Sequence, residues 1–211
     1  EDMQDLTWDE YLALGEKLKE KGHMLQTYNP NDIAEFQIML QSTGKWFTDN
    51  DGNADFTNND ALKECYDVFK KLNESDFCQV VSDWTGFAGA INNGDVACVM
   101  RGSWITSTIM GADDQSGKWK MAPIPKMSTD SATHYSNQGG SSWFVLKNSK
   151  NADAAAKFLA DTFGGSTELY DSLMKSNNII GTYLPAADIE AVNTESEFFS
   201  GQQINKTLVD W

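Results

Sequence analysis

The stretch WTGFAGAINNGDVACVMRGSWITS, residues 84–107, constrains this chain more than any other. It reads as a helix closed by Gly94, a short apolar run at residues 95–102 that suits a buried strand, and a second short helix beginning at Ser103. Helices alternating with isolated strands call for a layered α/β arrangement, because each helix buries its apolar stripe against another element.

The rest of the chain repeats this grammar. Residues 7–22 form a helix with a capping box: Thr7 is the N-cap, Glu10 stands three residues on, Leu6 and Tyr11 are placed as a staple, and Gly22 is the stop. Asn31 or Asp32 can cap a second helix that carries Ile33, Phe36 and Leu40 and ends at Gly44. FTDNDGNADFT, residues 47–57, carries a hairpin signal around Asp51-Gly52. Residues 58–72 read as a third helix with Leu62, Cys65, Tyr66 and Phe69 on its apolar face. Further strands are predicted at 117–125 and in SSWFVLK, residues 141–147, and further helices over 151–163 and 167–175. Residues 128–138 read as a polar surface loop, GTYLPA at 181–186 as a turn, and the end of the chain as helical again.

Charge and composition narrow the function. Sixteen basic against 31 acidic residues leave a formal charge of −15, which repels nucleic acid. Three cysteines with no CxxC spacing read as reduced thiols in or near the core; if the protein is exported, a Cys65–Cys78 bridge stays open. No apolar run is long enough to span a membrane, and both chain ends read as fragment boundaries.

Catalytic signatures are missing. His23 and His134 have no nucleophile or metal-ligand partner at a recognisable spacing, so a Ser-His-Asp or Cys-His enzyme is not visible. Asp49, Asp51 and Asn53 match the first three positions of a calcium loop, but Ala54 and Asp60 stand where glycine and glutamate belong, which favours an acidic turn. Gly139-Gly140-Ser141-Ser142 precedes an apolar run instead of following one, so it is no phosphate loop. It is either a turn or a point where backbone and hydroxyls approach a ligand. Trp104 follows the 95–102 run at the first turn of a helix, a position that serves either the core or the crevice in which α/β folds bind ligands. An exposed indole there suits the C–H face of a pyranose, and covering about 100 Å² of it contributes roughly 2 kcal/mol.

Four segments together resemble the extracellular solute-binding proteins of ABC importers, the group containing maltose-binding and glycerol-3-phosphate-binding proteins. They are LTWDEYLALGEKLKEKG, FAGAINNGDVACVMRGSW, WKMAPIPK and GGSSWFVLKNSKNADAAAKFL, in the order that family shows. The resemblance implies a type II periplasmic-binding-protein α/β fold, mainly its C-terminal lobe, with a mixed sheet flanked by helices. Residues 1–136 would be that lobe, 137–190 the return crossing with part of the N-terminal lobe, and 191–211 the start of the final helices.

It also implies a non-enzymatic protein that captures a sugar in an interlobe cleft and delivers it to the permease subunits of an importer. Such a protein acts as a monomer, binds no cofactor, metal or nucleic acid, and is extracellular or periplasmic, lipid-anchored at full length. Runner-up readings are a binder of a glycerol phosphodiester and a carbohydrate-binding or glycoside-hydrolase accessory domain. Carried over by position, Trp104 is the sugar-stacking aromatic, and Gly139, Gly140 and Ser141 reach the ligand from the crossing. Gly181 and Tyr183 of GTYLPA are weaker candidates, and Trp46, Trp84, Asn31 and Asp32 weaker still.

Overall fold

The computed structural model describes residues 3–211. The chain separates into two compact units: the first runs to Gly102 and takes in Ala122–Gln138, and the second holds Ser103–Met121 with Gly139–Trp211.

In the first unit, α1 (Trp8–Glu20) begins as the sequence requires. The Thr7 hydroxyl accepts from the Glu10 N–H at 3.3 Å while the Glu10 carboxylate accepts from the Thr7 N–H at 2.8 Å. Its buried side carries Trp8, Tyr11 and Gly15, the last packed directly under the ring of Phe77. α2 (Ala34–Ser42) and α3 (Asp60–Glu74) pack on each other, burying Phe36, Met39 and Leu40 from one and Cys65, Val68 and Leu72 from the other. The same unit holds a parallel pair, β1 (Gln26–Tyr28) and β2 (Cys78–Val80), with Gln26 opposite Cys78. α4 (Trp84–Asn92) follows β2 and packs against β1. The α/β class therefore holds, as a helix-rich unit around a small parallel sheet.

Several local expectations change. The run at 95–102 contributes a single parallel bridge, Met24 to Val96, extended by bonds from the N–H groups of Ala97 and Cys98 to the carbonyls of Met24 and Leu25. The hairpin at 47–57 shrinks to one antiparallel bridge between Thr48 and Ala54 across Gly52. Ile33 is exposed and stands at the N-cap of α2, while Asp32 accepts from the Ala34 N–H at 2.9 Å one step earlier. Tyr66 lies outside: the buried stripe of α3 is 61, 65, 68 and 72, and one residue past Cys65 turns the side chain about 100° away. All three cysteines are free thiols, with Cys65 and Cys78 buried, and desolvation pushes the Cys65 thiol up to about 12. The polar stretch 128–138 is tied down, with Ser128 and Thr129 donating to Glu64 of α3 and Thr133 donating its N–H to Ser42.

The second unit comprises α5 (Ile105–Ile109), α6 (Ala152–Asp161), α7 (Thr167–Asn177), α8 (Ile204–Asp210) and short 3-10 turns. Its core gathers Met174, Ala191 and Val192 against Ile189 and Val209. The strand predicted at 117–125 does not form. Gly117 and Met121 spend their N–H groups on the Phe198 carbonyl and the Gln202 side chain, and Pro123 and Pro125 offer no donor. Residues 141–147 also form no strand. An apolar run becomes a strand only where a neighbour supplies backbone partners, and here Phe144 is 86% exposed, with Trp143 and Leu146 also outside. α6 buries no residue at all.

Candidate ligand-binding site

In the first unit, the two parallel strands end side by side at Tyr28 and Val80. A cavity of about 570 Å³ opens beyond these carboxyl ends, lined by Pro30, Asn31, Val80–Asp83, Thr85 and Gly86. Both the place and the size suit a small-molecule ligand, since α/β folds bind at the carboxyl ends of their strands. The lining contains Asp83 and no lysine or arginine. Asp83 caps α4 by accepting from the Gly86 N–H at 2.8 Å, so that helix start already holds a carboxylate.

Trp84, between two lining residues, is 50% exposed and stacks on buried Phe87 with centroids 5.6 Å apart. A cation lies over the same ring: the Arg101 guanidinium carbon is 4.5 Å from the Phe87 centroid. Arg101 also meets Glu35 at 2.5 Å and Asp32 at 3.2 Å. Glu35 is buried, and desolvation raises its pKa although Arg101 works in the opposite direction. Asp32 is left partly open, next to cavity-lining Asn31. Of the predicted residues, Asn31 lines the cavity, while Asp32 and Trp84 are linked to each other through Arg101 and Phe87.

Trp104, Gly139, Gly140 and Ser141 belong to the second unit. Trp104 is the N-cap of α5 and is 42% exposed, so it is a partly open surface and not core. Gly139 lies against it: a Cβ there would stand 3.8 Å from the indole nitrogen. Gly139 and Gly140 have φ of 97° and 100°, a backbone state that side chains resist, and with Ser141 they are exposed. Gly181 and Tyr183 gather around Tyr170 instead. A Cβ on Gly181 would overlap the Tyr170 ring, and Tyr183 stacks on that ring at 6.2 Å.

Trp46 stands apart from the first cavity. It packs edge-on against Phe47 at 4.8 Å and lines a separate polar hollow of about 500 Å³ with Asp49, Asp55 and Asn59. The Asp49 carboxylate there is taken by the N–H groups of Asp51 and Asn53, at 2.9 and 2.8 Å. Among the described residues, no cluster of three or more His, Cys, Asp or Glu could hold a metal ion. No helix among them is long and apolar enough to cross a membrane.

The family model of bacterial extracellular solute-binding proteins matches residues 3–199. The chain belongs to that family. A lactose-binding protein of Rhizobium radiobacter is 36% identical over the whole of this chain and half of its own length. In fold, the chain is similar to the galacto-N-biose-/lacto-N-biose I-binding protein of an ABC transporter from Bifidobacterium longum, solved with lacto-N-biose. The TM-score is 0.73 at 22% identity, over 98% of this chain and 51% of that one. The chain thus spans about half the length of both solute-binding relatives, which are binding proteins by name.

Sequence reasoning missed Asp83, which lines the first cavity, and the buried Glu35–Arg101 pair that holds Asp32. The signal for the last was present, because Arg101 is the only arginine in the sequence. A chain that otherwise uses lysine places its one planar fork where two carboxylates must be bridged.

Proposed function

We propose that this chain is part of the substrate-binding component of an ABC importer, which captures a neutral mono- or oligosaccharide in the interlobe cleft of the full-length protein and delivers it to membrane permease subunits. The observation that carries this reading is the cavity at the strand ends. It is lined by Asp83 and Thr85, which flank the half-exposed Trp84, and by Asn31, which precedes the fixed carboxylate of Asp32, and its lining holds no basic residue. Sugar recognition needs these parts: an aromatic face for the C–H surface and oriented acceptors for hydroxyls. The names of the relatives, which refer to lactose and lacto-N-biose, point the same way.

The absence of a basic residue from that lining weighs against a glycerol phosphodiester. A phosphate needs a free cation or an open helix start, and here Arg101 is paired and the α4 start is capped by Asp83. In the second unit, Trp104 with Gly139, Gly140 and Ser141 serves as a further ligand surface. Residues 1–136 act as the C-terminal lobe, 137–190 as the return crossing with part of the N-terminal lobe, and 191–211 as the start of the final helices. The boundary at Gln138 and the uncovered apolar residues 143–146 support that division, while Ser103–Met121 grouping with the second unit departs from it. The full-length protein acts outside the cytoplasm, lipid-anchored, as a monomer and without catalysis.

A thermal-shift screen of the full-length protein against mono- and disaccharides, oligosaccharides and glycerophosphocholine tests the reading. Stabilisation by at least one neutral sugar, with none by glycerophosphocholine and no release of reducing sugar, is expected. Stabilisation by glycerophosphocholine alone overturns the sugar assignment, and hydrolysis of an oligosaccharide overturns the transport assignment.

A further inference from the structure

Asn31, which lines the first-unit cavity, is followed by a carboxylate whose orientation is set by groups outside that cavity. Asp32 uses one oxygen to accept from the Ala34 N–H at 2.9 Å and the other to meet Arg101 at 3.2 Å. Its side chain remains 43% exposed while that of Arg101 is 3% exposed. Each carboxylate oxygen has two lone pairs, so both remain able to accept from a ligand hydroxyl while the group is held. Arg101 is itself held on every side. Glu35 meets its Nη1 at 2.5 Å, the Met100 carbonyl accepts from the same nitrogen at 3.1 Å, and Phe87 covers its flat face at 4.5 Å. The guanidinium has no surface left for a ligand.

We propose that Arg101 is a positioning residue for ligand binding: it acts through Asp32, fixing that carboxylate as a hydroxyl acceptor beside cavity-lining Asn31, with Glu35 as the counter-ion that keeps the guanidinium in place. The proposal rests on the carbohydrate reading above. Its physical basis is preorganisation. A free aspartate must give up rotamer freedom when a ligand arrives, whereas one already bonded through both oxygens has done so on folding. Charge adds selectivity. Two carboxylates against one guanidinium leave this trio at net −1, which favours a neutral hydroxyl donor and opposes an anionic ligand. Only arginine fills the role, since its planar fork reaches two carboxylates in fixed directions and lysine's point charge does not.

The test is a double-mutant cycle by calorimetry on the full-length protein, with lactose and lacto-N-biose as probes and the melting temperature of each unliganded variant recorded. Asp32→Ala is expected to weaken binding tenfold or more, and Arg101→Lys fivefold or more. The double variant should bind no worse than Asp32→Ala alone, because Arg101 has nothing to position once Asp32 is gone. Glu35→Gln provides the same comparison if Arg101→Lys does not fold: a smaller loss in the native background and none in the Asp32→Ala background. Losses that multiply in the double variant, or an unchanged Kd for Arg101→Lys, overturn the positioning role. If Trp104→Ala abolishes sugar binding while Asp32→Ala and Arg101→Lys leave it intact, the carbohydrate reading stands and the Arg101 proposal falls. A wild-type protein that binds neither these probes nor any other neutral sugar overturns both.

Discussion

Glu64 shows how one side chain holds a loop that the sequence alone leaves free. Burial raises its pKa, but hydrogen bonds from Ser128 at 2.6 Å and Thr129 at 3.0 Å outweigh that, and the net shift is downward. A carboxylate with a depressed folded-state pKa stabilises the fold fully above its unfolded value, about 4.3, and loses that contribution as pH falls through the folded pKa. Glu64→Gln should therefore cost about 1 kcal/mol at neutral pH, with the gap to wild type closing below about pH 4. Urea denaturation across pH 3–7 checks this, and parallel curves for the two proteins would contradict it. At this scale the sequence is legible only in part. Trp104 was visible because a tryptophan stands just past an apolar run, and Asp32 because it precedes a helix. That Gly181 packs under the Tyr170 ring was invisible, since the two meet only by folding.

At the scale of elements, caps and helices read well from sequence because their signals are local. The Thr7–Glu10 capping box and the stops at Gly22, Gly44 and Gly94 all lie within a few residues of what they control. Strands read poorly because they depend on partners far away in sequence. Residues 95–102, 117–125 and 141–147 share an apolar pattern, yet only the first forms a β-bridge, from Val96 to Met24. Local and tertiary rules collide at Gly15. Helix propensity favours alanine there by up to about 1 kcal/mol, but a Cβ would overlap the buried Phe77 ring, and overpacking costs roughly 1–3 kcal/mol. Gly15→Ala is expected to lower the melting temperature; a rise would mean that the Phe77 site yields freely.

For the whole molecule, the decisive fact is that the chain spans half the length of its relatives and leaves a large apolar surface open in the second unit. Trp143, Phe144, Leu146 and Phe158 are exposed, and α6 buries nothing. Single exposed apolar residues are ordinary, but a cluster of large ones marks a surface that meets a partner. The 211-residue chain on its own should bind a hydrophobic dye strongly and neutral sugars without useful affinity, whereas the full-length protein should do the reverse. Micromolar sugar binding by the isolated chain would contradict this, because it would make this half sufficient.

The central claim is that a neutral sugar is held on indole faces and fixed acceptors of this chain. Calorimetric titration of the full-length protein and its Trp104→Ala variant with the sugar that stabilises it best, together with their unliganded melting temperatures, tests it directly. The indole's exposure predicts a tenfold or greater loss of affinity, about 1.4 kcal/mol or more, with a nearly unchanged melting temperature. Intact affinity with a large drop in melting temperature would make Trp104 a packing residue and contradict the account.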